Sequence, residues 1–441
     1  MTQFLDIFGF LSVILRGFAL VFEALTVGGI IFQVYAAREY AAKRAWAWVS
    51  IAAVMLAATQ LCVASANAVI LMGTMGLRPA EIVGADFCRA TLLVITGALA
   101  VAVFARGRRG WLAVPACVSI LVGSTMMSHS AARVEWRWFL MASTLLHHLA
   151  GAAWIGGFPY LLAALRQDSK GAIALRVAER FSRLAMCSVA ALVMAGATLA
   201  WQYVGSIAAL GGTTYGAMLI AKVVLTGVLL LLGSLNRSIV RSQQRGGGTG
   251  WLPLRRFAEA ELGIGLTVLL MAASLTSTPP AIDVQADRVT AADMMQRFTP
   301  RWPRMQTPAL SELSPATPLS LPQNLPGSFV PGQLTHPNTP ADIAWSEYNH
   351  HWAGLVVLAI GLLALLSRRV KWARHWPLAF FGLAVFLLIR SDSEDWPLGP
   401  RGFWESFQVA EVAQHRVFVL LIVAFAIFEW AVQIHRIAAR R

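Results

Sequence analysis

Apolar residues along this chain fall into runs long enough to cross a lipid bilayer as helices, separated mostly by short polar connections. The runs lie at about 8–35, 46–71, 88–105, 111–128, 138–165, 184–205, 214–236, 257–276, 350–367, 375–390 and 413–435. The pattern therefore predicts an all-α polytopic integral membrane protein with about 11 transmembrane helices.

Basic residues collect in alternate connections, which orients the chain. Of the 36 Lys and Arg residues, 23 lie on one side and 11 on the other, four of the 11 in one long loop. Short loops rich in Lys and Arg stay in the cytoplasm, and charge in long loops contributes little. We therefore expect the N-terminus outside and the C-terminus in the cytoplasm.

The connection over residues 277–349 breaks the alternation of apolar spans and short connections. It holds 12 of the 19 prolines and no apolar run long enough to cross the membrane. Repeated proline with small polar residues favours extended, weakly ordered chain. It divides the sequence into an eight-helix membrane domain (1–280), a Pro-rich extracytoplasmic loop (281–346) and a three-helix C-terminal membrane extension (347–441).

Six of the nine histidines are predicted to lie at one depth near the extracytoplasmic side. Each stands 17 to 21 residues from the basic residue at the cytoplasmic end of its helix. At 1.5 Å per residue this places them roughly 25 to 32 Å above the cytoplasmic boundary. They are His129, His147, His148, His350, His351 and His415.

Carboxylates accompany the C-terminal histidines at helical spacing. Glu347 precedes His350 and His351 by three and four residues, and Glu411 precedes His415 by four. Such spacings put a carboxylate and an imidazole on one helix face. Imidazole suits copper, zinc, iron or nickel, and added carboxylate suits the harder, oxidised ions. Interfacial anchoring or helix capping explains the same residues without a metal.

Thioethers accompany the N-terminal histidines. Met126 and Met127 precede His129, and His147 and His148 open another span. Thioether with imidazole is a ligand set that favours Cu(I), although a lone Met in a membrane helix usually serves packing. Only convergence of several donors makes a site, and whether the two groups form one site or two stays open.

Ionisable residues inside spans are costly and by default pair or line a pathway. Arg16 and Glu23 are seven residues apart on one helix, and Lys222 lies within another span. We expect Glu23 to pair with Arg16 or Lys222, as a structural ion pair or as part of an ion or proton route. Glu259 and Glu261 are expected to be interfacial.

Composition excludes several classes. A content of 57% hydrophobic and 13% charged residues excludes a soluble globular protein. The net charge of +14 follows insertion topology, which argues against nucleic-acid binding. The N-terminus lacks a basic region and a cleavage signal, so we expect no signal peptide. Four cysteines without CxxC spacing indicate neither a disulfide framework nor a zinc site, and the sequence carries no recognised catalytic motif, so we expect no enzyme.

The order of features in about residues 180–280 resembles the copper resistance protein D (CopD) family of bacterial inner-membrane proteins. The resemblance rests on Phe181-Ser182-Arg183, Gly196, Trp201, Tyr215-Gly216, Lys222, Leu235-Asn236-Arg237 and Thr276-Ser277-Thr278-Pro279-Pro280. His148, Trp154 and Gly156-Gly157 resemble the preceding helix of that family. The C-terminal third resembles an extension in some members, around Glu347, Asp392 and Glu411.

The resemblance implies a copper-binding protein of the inner membrane that transports copper ions from periplasm to cytoplasm in copper homeostasis or resistance. It also implies a periplasmic CopC-like copper-binding partner as a separate chain. The alternative is a haem b membrane protein in electron transfer, because histidines at one depth also suit bis-imidazole ligation. The CopD fold resembles membrane-bound, haem-containing protoporphyrinogen oxidases.

Overall fold

The computed structural model describes residues 2–39, 43–167, 172–245, 252–284, 288–300, 302–313 and 339–434. The helices before the Pro-rich loop are α1 (Thr2–Ile31), α2 (Lys43–Met75), α3 (Pro79–Val83), α4 (Asp86–Arg106), α5 (Gly110–Met126), α6 (His129–Ala132), α7 (Arg137–Ile155), α8 (Phe158–Gln167), α9 (Ala172–Val204), α10 (Ile207–Gly212), α11 (Thr214–Gln244) and α12 (Leu252–Ser277). They are followed by α13 (Ala291–Phe298), α14 (Pro340–Leu366), α15 (Ala379–Arg390) and α16 (Ala410–Gln433).

Within these residues, ten helical segments are long and apolar enough to cross a membrane, each overlapping a predicted span. The span predicted at 111–128 corresponds to α5, an apolar helix of 17 residues. At 1.5 Å per residue it is about 25 Å long, near the lower limit for crossing. The described part contains no β-strand apart from one isolated bridge, Asp395 with Arg401. The predicted all-α polytopic class is confirmed.

The described residues form two compact units: residues 8–297 make up the first, and residues 2–7 together with those from 298 onwards make up the second. The core of the first unit is built from helix pairs that approach through glycine. A Cβ on Gly97 would lie 2.8 Å from the Ala116 carbonyl oxygen, and one on Gly123 would lie 2.7 Å from that of Ala90. Small residues let membrane helices pack by van der Waals contact, which holds α4 against α5.

One described ionic cluster ties α9 to the connection that follows α1. The Glu39 carboxylate accepts from Arg180 at 2.6 Å and lies 3.3 Å from Arg176. The hydrogen bond and charge of Arg180 lower the pKa of Glu39. This cluster lies at the end of α1 that the basic residues assign to the cytoplasm.

In the second unit, α14 begins at Pro340, ten residues before the predicted start at 350. The reason is a capping box: the Thr339 hydroxyl accepts from the backbone N–H of Asp342, whose carboxylate accepts from that of Thr339. Pro340 fits the first helical position because it needs no N–H partner there. Glu347 consequently lies inside a helix.

The start of α14 and the end of α15 meet around one arginine. The Arg390 guanidinium stacks 3.9 Å above the Trp345 ring and 4.9 Å from that of Tyr348. Its Nε donates to the Asn349 side-chain oxygen at 3.0 Å, and Asn349 donates back to the Arg390 carbonyl oxygen at 2.8 Å. Cation–π stacking and paired hydrogen bonds thus fix this junction.

Candidate metal site

An acidic side chain from α1 meets a histidine from α7 inside the first unit. Glu23 is buried, with 4% of its surface exposed. One of its oxygens lies 2.9 Å from His148 Nδ1, and the other accepts from the Ser124 hydroxyl of α5 at 2.5 Å. Three helices therefore supply one polar cluster, Glu23, Ser124 and His148, within a largely apolar core.

The hydrogen bond to Glu23 fixes which nitrogen of His148 can bind an ion. A carboxylate only accepts, so Nδ1 donates, and Nε2 of the neutral ring holds the lone pair. No partner of Nε2 is found among the described residues, and the side chain is 19% exposed. A metal-binding imidazole is usually oriented in this way, by a carboxylate that accepts a hydrogen bond from the ring nitrogen that does not bind the metal.

Helix packing explains why these two side chains meet. Ala24 and Gly28 on α1 are four residues apart, as are Ala152 and Gly156 at the end of α7. A Cβ on Gly28 would lie 2.1 Å from the Ala152 oxygen, and one on Gly156 would lie 1.8 Å from the Ala24 oxygen. Such a crossing tolerates no side chain and brings Glu23, next to Ala24, to the histidine one turn before Ala152.

His147 faces a different neighbour from His148, because successive residues on a helix point about 100° apart. Its ring atoms would lie 3.3 and 3.5 Å from a Cβ on Gly196 of α9. Its Nδ1 is buried and has no hydrogen-bond partner in the described structure. The two adjacent histidines therefore face different helices.

His129, at the start of α6, packs against an aromatic ring. Its ring lies edge-on to Tyr203, with centroids 6.4 Å apart, and its Nε2 is buried without a partner in the part described. Ser130 bonds the hydroxyls of Thr144 at 2.5 Å and Tyr203 at 2.8 Å. Burial lowers the pKa of His129, which keeps the ring neutral and able to bind a metal.

The two methionines that precede His129 are half-buried. The Met127 sulfur accepts a weak hydrogen bond from the Thr91 hydroxyl at 3.8 Å and packs against the core of the first unit. Packing against the core therefore accounts for a methionine at position 127 without a metal ion. Met126 ends α5.

In the second unit, the residues around Glu347 have partners of their own. Glu347 accepts from Arg304 Nε at 3.1 Å, and His351 Nδ1 accepts from the Arg304 backbone N–H at 2.8 Å. His350 Nδ1 donates to the Ser346 carbonyl oxygen at 2.8 Å, one turn earlier. Since a neutral ring that accepts at Nδ1 carries its hydrogen on Nε2, His351 holds no lone pair for a metal in this arrangement.

His415 has a carboxylate partner that the sequence reading did not single out. Its Nδ1 lies 3.1 Å from an Asp392 oxygen, in the segment between α15 and α16. Glu411 belongs to the first turn of α16, but its side chain lies outside the described residues. The predicted pairing of Glu411 with His415 is therefore not described.

Of the predicted donors, the structure gives His148 and His415 a carboxylate partner each, Glu23 and Asp392. Among the described residues, no group of three or more His, Cys, Asp and Glu side chains is close enough to hold a metal ion. The prediction that Glu23 pairs with Arg16 or Lys222 is wrong. Glu23 bonds His148, and Arg16 donates to the Thr276 carbonyl oxygen at 2.8 Å. The small residues around positions 24–28 and 152–156 were the sequence signal that could have brought these helices together.

These features define a multi-pass helical membrane protein with a buried histidine–carboxylate pair. Residues 175–275 match the family Copper resistance protein D (CopD), which confirms the resemblance in that segment. Over 164 residues the chain is 30% identical to the copper transport protein CutJ of Bacillus subtilis (strain 168). The alignment covers 36% of this chain and 29% of that relative. No solved structure matches the chain.

Proposed function

We propose that the protein binds copper ions within the membrane and transports them from the periplasm to the cytoplasm across the bacterial inner membrane. The observation that carries the proposal is the Glu23–His148 pair, in which a buried carboxylate fixes the imidazole so that Nε2 holds a lone pair. The matched family and relative both carry names for copper handling. In this proposal the protein is a carrier and performs no catalysis.

The chemistry of the pair fits a copper ion in transit. Imidazole binds copper well, and a nearby carboxylate favours the harder Cu(II). A site with few protein ligands releases its ion more readily than a closed site with four. The buried, unpartnered nitrogens His147 Nδ1 and His129 Nε2 belong to the same unit and are further candidates along the route.

The ion reaches this site from outside in our proposal. The residues proposed to capture it at the outer face are His350, His415 and Glu411, with Met126 and Met127 near the first unit's outer end, whereas His351 and Glu347 are engaged by Arg304. A separate periplasmic CopC-like protein is the copper donor that the family resemblance suggests. The second unit would then act in capture, and the first unit in transfer.

Copper uptake by proteoliposomes tests this function. We expect the wild type to accumulate copper from outside and His148→Ala to lose most of this uptake. His375→Gln is the matched control, because that histidine lies in the second unit and accepts from Trp430 Nε1 at 2.9 Å. Equal uptake by His148→Ala and wild type would reject the pair as the transport site. A visible spectrum of the same preparation shows a Soret band only if the protein binds haem.

A further inference from the structure

A second buried carboxyl group lies between α11 and α12, separate from the candidate metal site. Glu261 is 1% exposed, although its sequence position suggested an interfacial residue. Its Oε1 accepts from Asn236 Nδ2 at 2.6 Å. By contrast, Glu259 is 45% exposed and accepts from Arg166 at 2.9 Å. Two carboxyl groups only two positions apart therefore have opposite environments.

The surroundings of Glu261 are apolar. On α12 its face carries Leu254, Ala258 and Val268, all buried, one to two turns away. On α11, Asn236 lies between the buried Leu229 and Val240. Membrane helices keep an ionisable group on such a face only where it is paired or has a function.

No cation pairs with Glu261 in the described part of the chain. The helices packed against α12 include α11, α8 and α7, and α1 contacts it near Leu270 and Thr276, two or more turns from Glu261. Their charged groups near this level are Arg237, which follows Asn236, and Arg166, which pairs with Glu259. On α12 itself, Arg255 and Arg256 precede Glu261 by six and five residues, about 8 to 9 Å along the axis. Charge neutralisation by a salt bridge is therefore not what keeps Glu261 in place.

The Asn236 amide carries an unused acceptor. Its Oδ1 is buried and has no hydrogen-bond partner among the described residues, and Asn236 is 9% exposed. A buried acceptor without a partner costs about 1–3 kcal/mol. An ionised Glu261 offers only acceptors, so it leaves Oδ1 without a donor.

We propose that Glu261 and Asn236 form a proton-binding site in the half of the membrane nearest the cytoplasmic basic residues. One proton added to the carboxylate gives a neutral carboxylic acid, which donates its O–H to Asn236 Oδ1 while Nδ2 still donates to Oε1. Both groups of the amide are then satisfied. Release of the proton restores the carboxylate, which Nδ2 alone stabilises. The site lies within the segment 175–275 that matches the family.

Proton binding and release at this site accompany copper movement, a step that rests on the proposed transport function. A proton leaving Glu261 compensates part of the charge of an entering cation. The ligand of this site is thus the proton, whereas copper binds at Glu23 and His148.

Infrared difference spectroscopy of the copper-free full-length protein during a pH titration tests the proton site by itself. We expect a protonated-carboxyl band that disappears in Glu261→Gln and moves to higher frequency in Asn236→Leu, which removes the hydrogen-bonding amide. Glu259→Gln is the matched control and should keep the band. A spectrum of Glu261→Gln identical to that of the wild type at every pH would overturn the proposal.

Proteoliposomes with an internal pH indicator test the coupling. Wild type should release protons in exchange for the copper that enters, and Glu261→Gln should lose this proton movement. If Glu261→Gln loses both fluxes, Glu261→Asp should restore both, and failure to restore them would contradict the coupling. An infrared band without any copper transport by the wild type would reject the transport function but keep the proton site.

Discussion

At the scale of single residues, hydrogen-bond direction decides which histidines are competent ligands. His148 donates through Nδ1 to Glu23, whereas His351 accepts through Nδ1 from a backbone N–H. These two rings therefore present opposite Nε2 states, one with a lone pair and one with a hydrogen. From their positions in the sequence, His148 and His351 were expected to be equally able to bind a metal ion.

Glu39 gives a prediction on pH at this scale. Because Arg180 lowers its pKa, the folded protein gains stability from the Glu39 carboxylate above the ordinary value of about 4.3 and loses it as the pH falls through the lowered pKa. Melting temperatures of wild type and Glu39→Gln should therefore differ at pH 6 and converge as the pH falls below the lowered pKa of Glu39. A difference that is independent of pH would show that charge pairing with Arg180 and Arg176 is not the cause.

At the scale of helices, the contact between α1 and α7 depends on the absence of side chains. The Gly156 Cα faces the Ala24 carbonyl oxygen so closely that even a methyl group would overlap backbone atoms. Backbone cannot move aside as a flexible side chain does. The crossing therefore positions Glu23 and His148 more strictly than their own hydrogen bond.

Gly156→Ala tests this crossing. Overpacking costs typically about 1–3 kcal/mol, and we expect a lower melting temperature together with weaker copper binding, because α1 must move away from α7. Gly227→Ala is the matched control, since a Cβ there has no atom within 4 Å. Unchanged melting and binding in Gly156→Ala would show that the helices are less tightly packed than described.

Helix existence was predictable, whereas helix contacts were not. Long apolar runs leave a bilayer-crossing helix as the one way to satisfy every backbone group, so ten spans and α5 follow from hydropathy. The early start of α14 was readable from Thr339, Pro340 and Asp342. The contact between Glu23 and His148 joins residues 125 positions apart. The small residues at 24–28 and 152–156 indicate that each helix has a close crossing, but they do not specify which helix it meets.

At the scale of the whole molecule, the two units divide the predicted donors. His129, His147 and His148 belong to the first unit, and His350, His351 and His415 to the second. The shared depth predicted from sequence concerned distance along the membrane normal only. Lateral helix packing, which single-sequence hydropathy does not contain, determines the partners.

Orientation is a prediction at this scale. Fusion of green fluorescent protein after Arg245 should give fluorescent cells, and fusion of alkaline phosphatase after Pro303 should give active enzyme, because the first folds in the cytoplasm and the second in the periplasm. Arg245 directly follows α11, and Pro303 lies in a loop of the described chain. The reversed result at both positions would invert the orientation and the proposed direction of transport.

Equilibrium copper binding to the purified protein tests the central claim most directly. The variants are Glu23→Gln, His148→Ala and their combination, with His375→Gln as control. Because the carboxylate acts by orienting the imidazole, Glu23→Gln should weaken binding about 10–100-fold, and the double variant should bind no more weakly than His148→Ala alone. Wild-type affinity in His148→Ala, or independent losses that add in the double variant, would contradict a copper site at this pair.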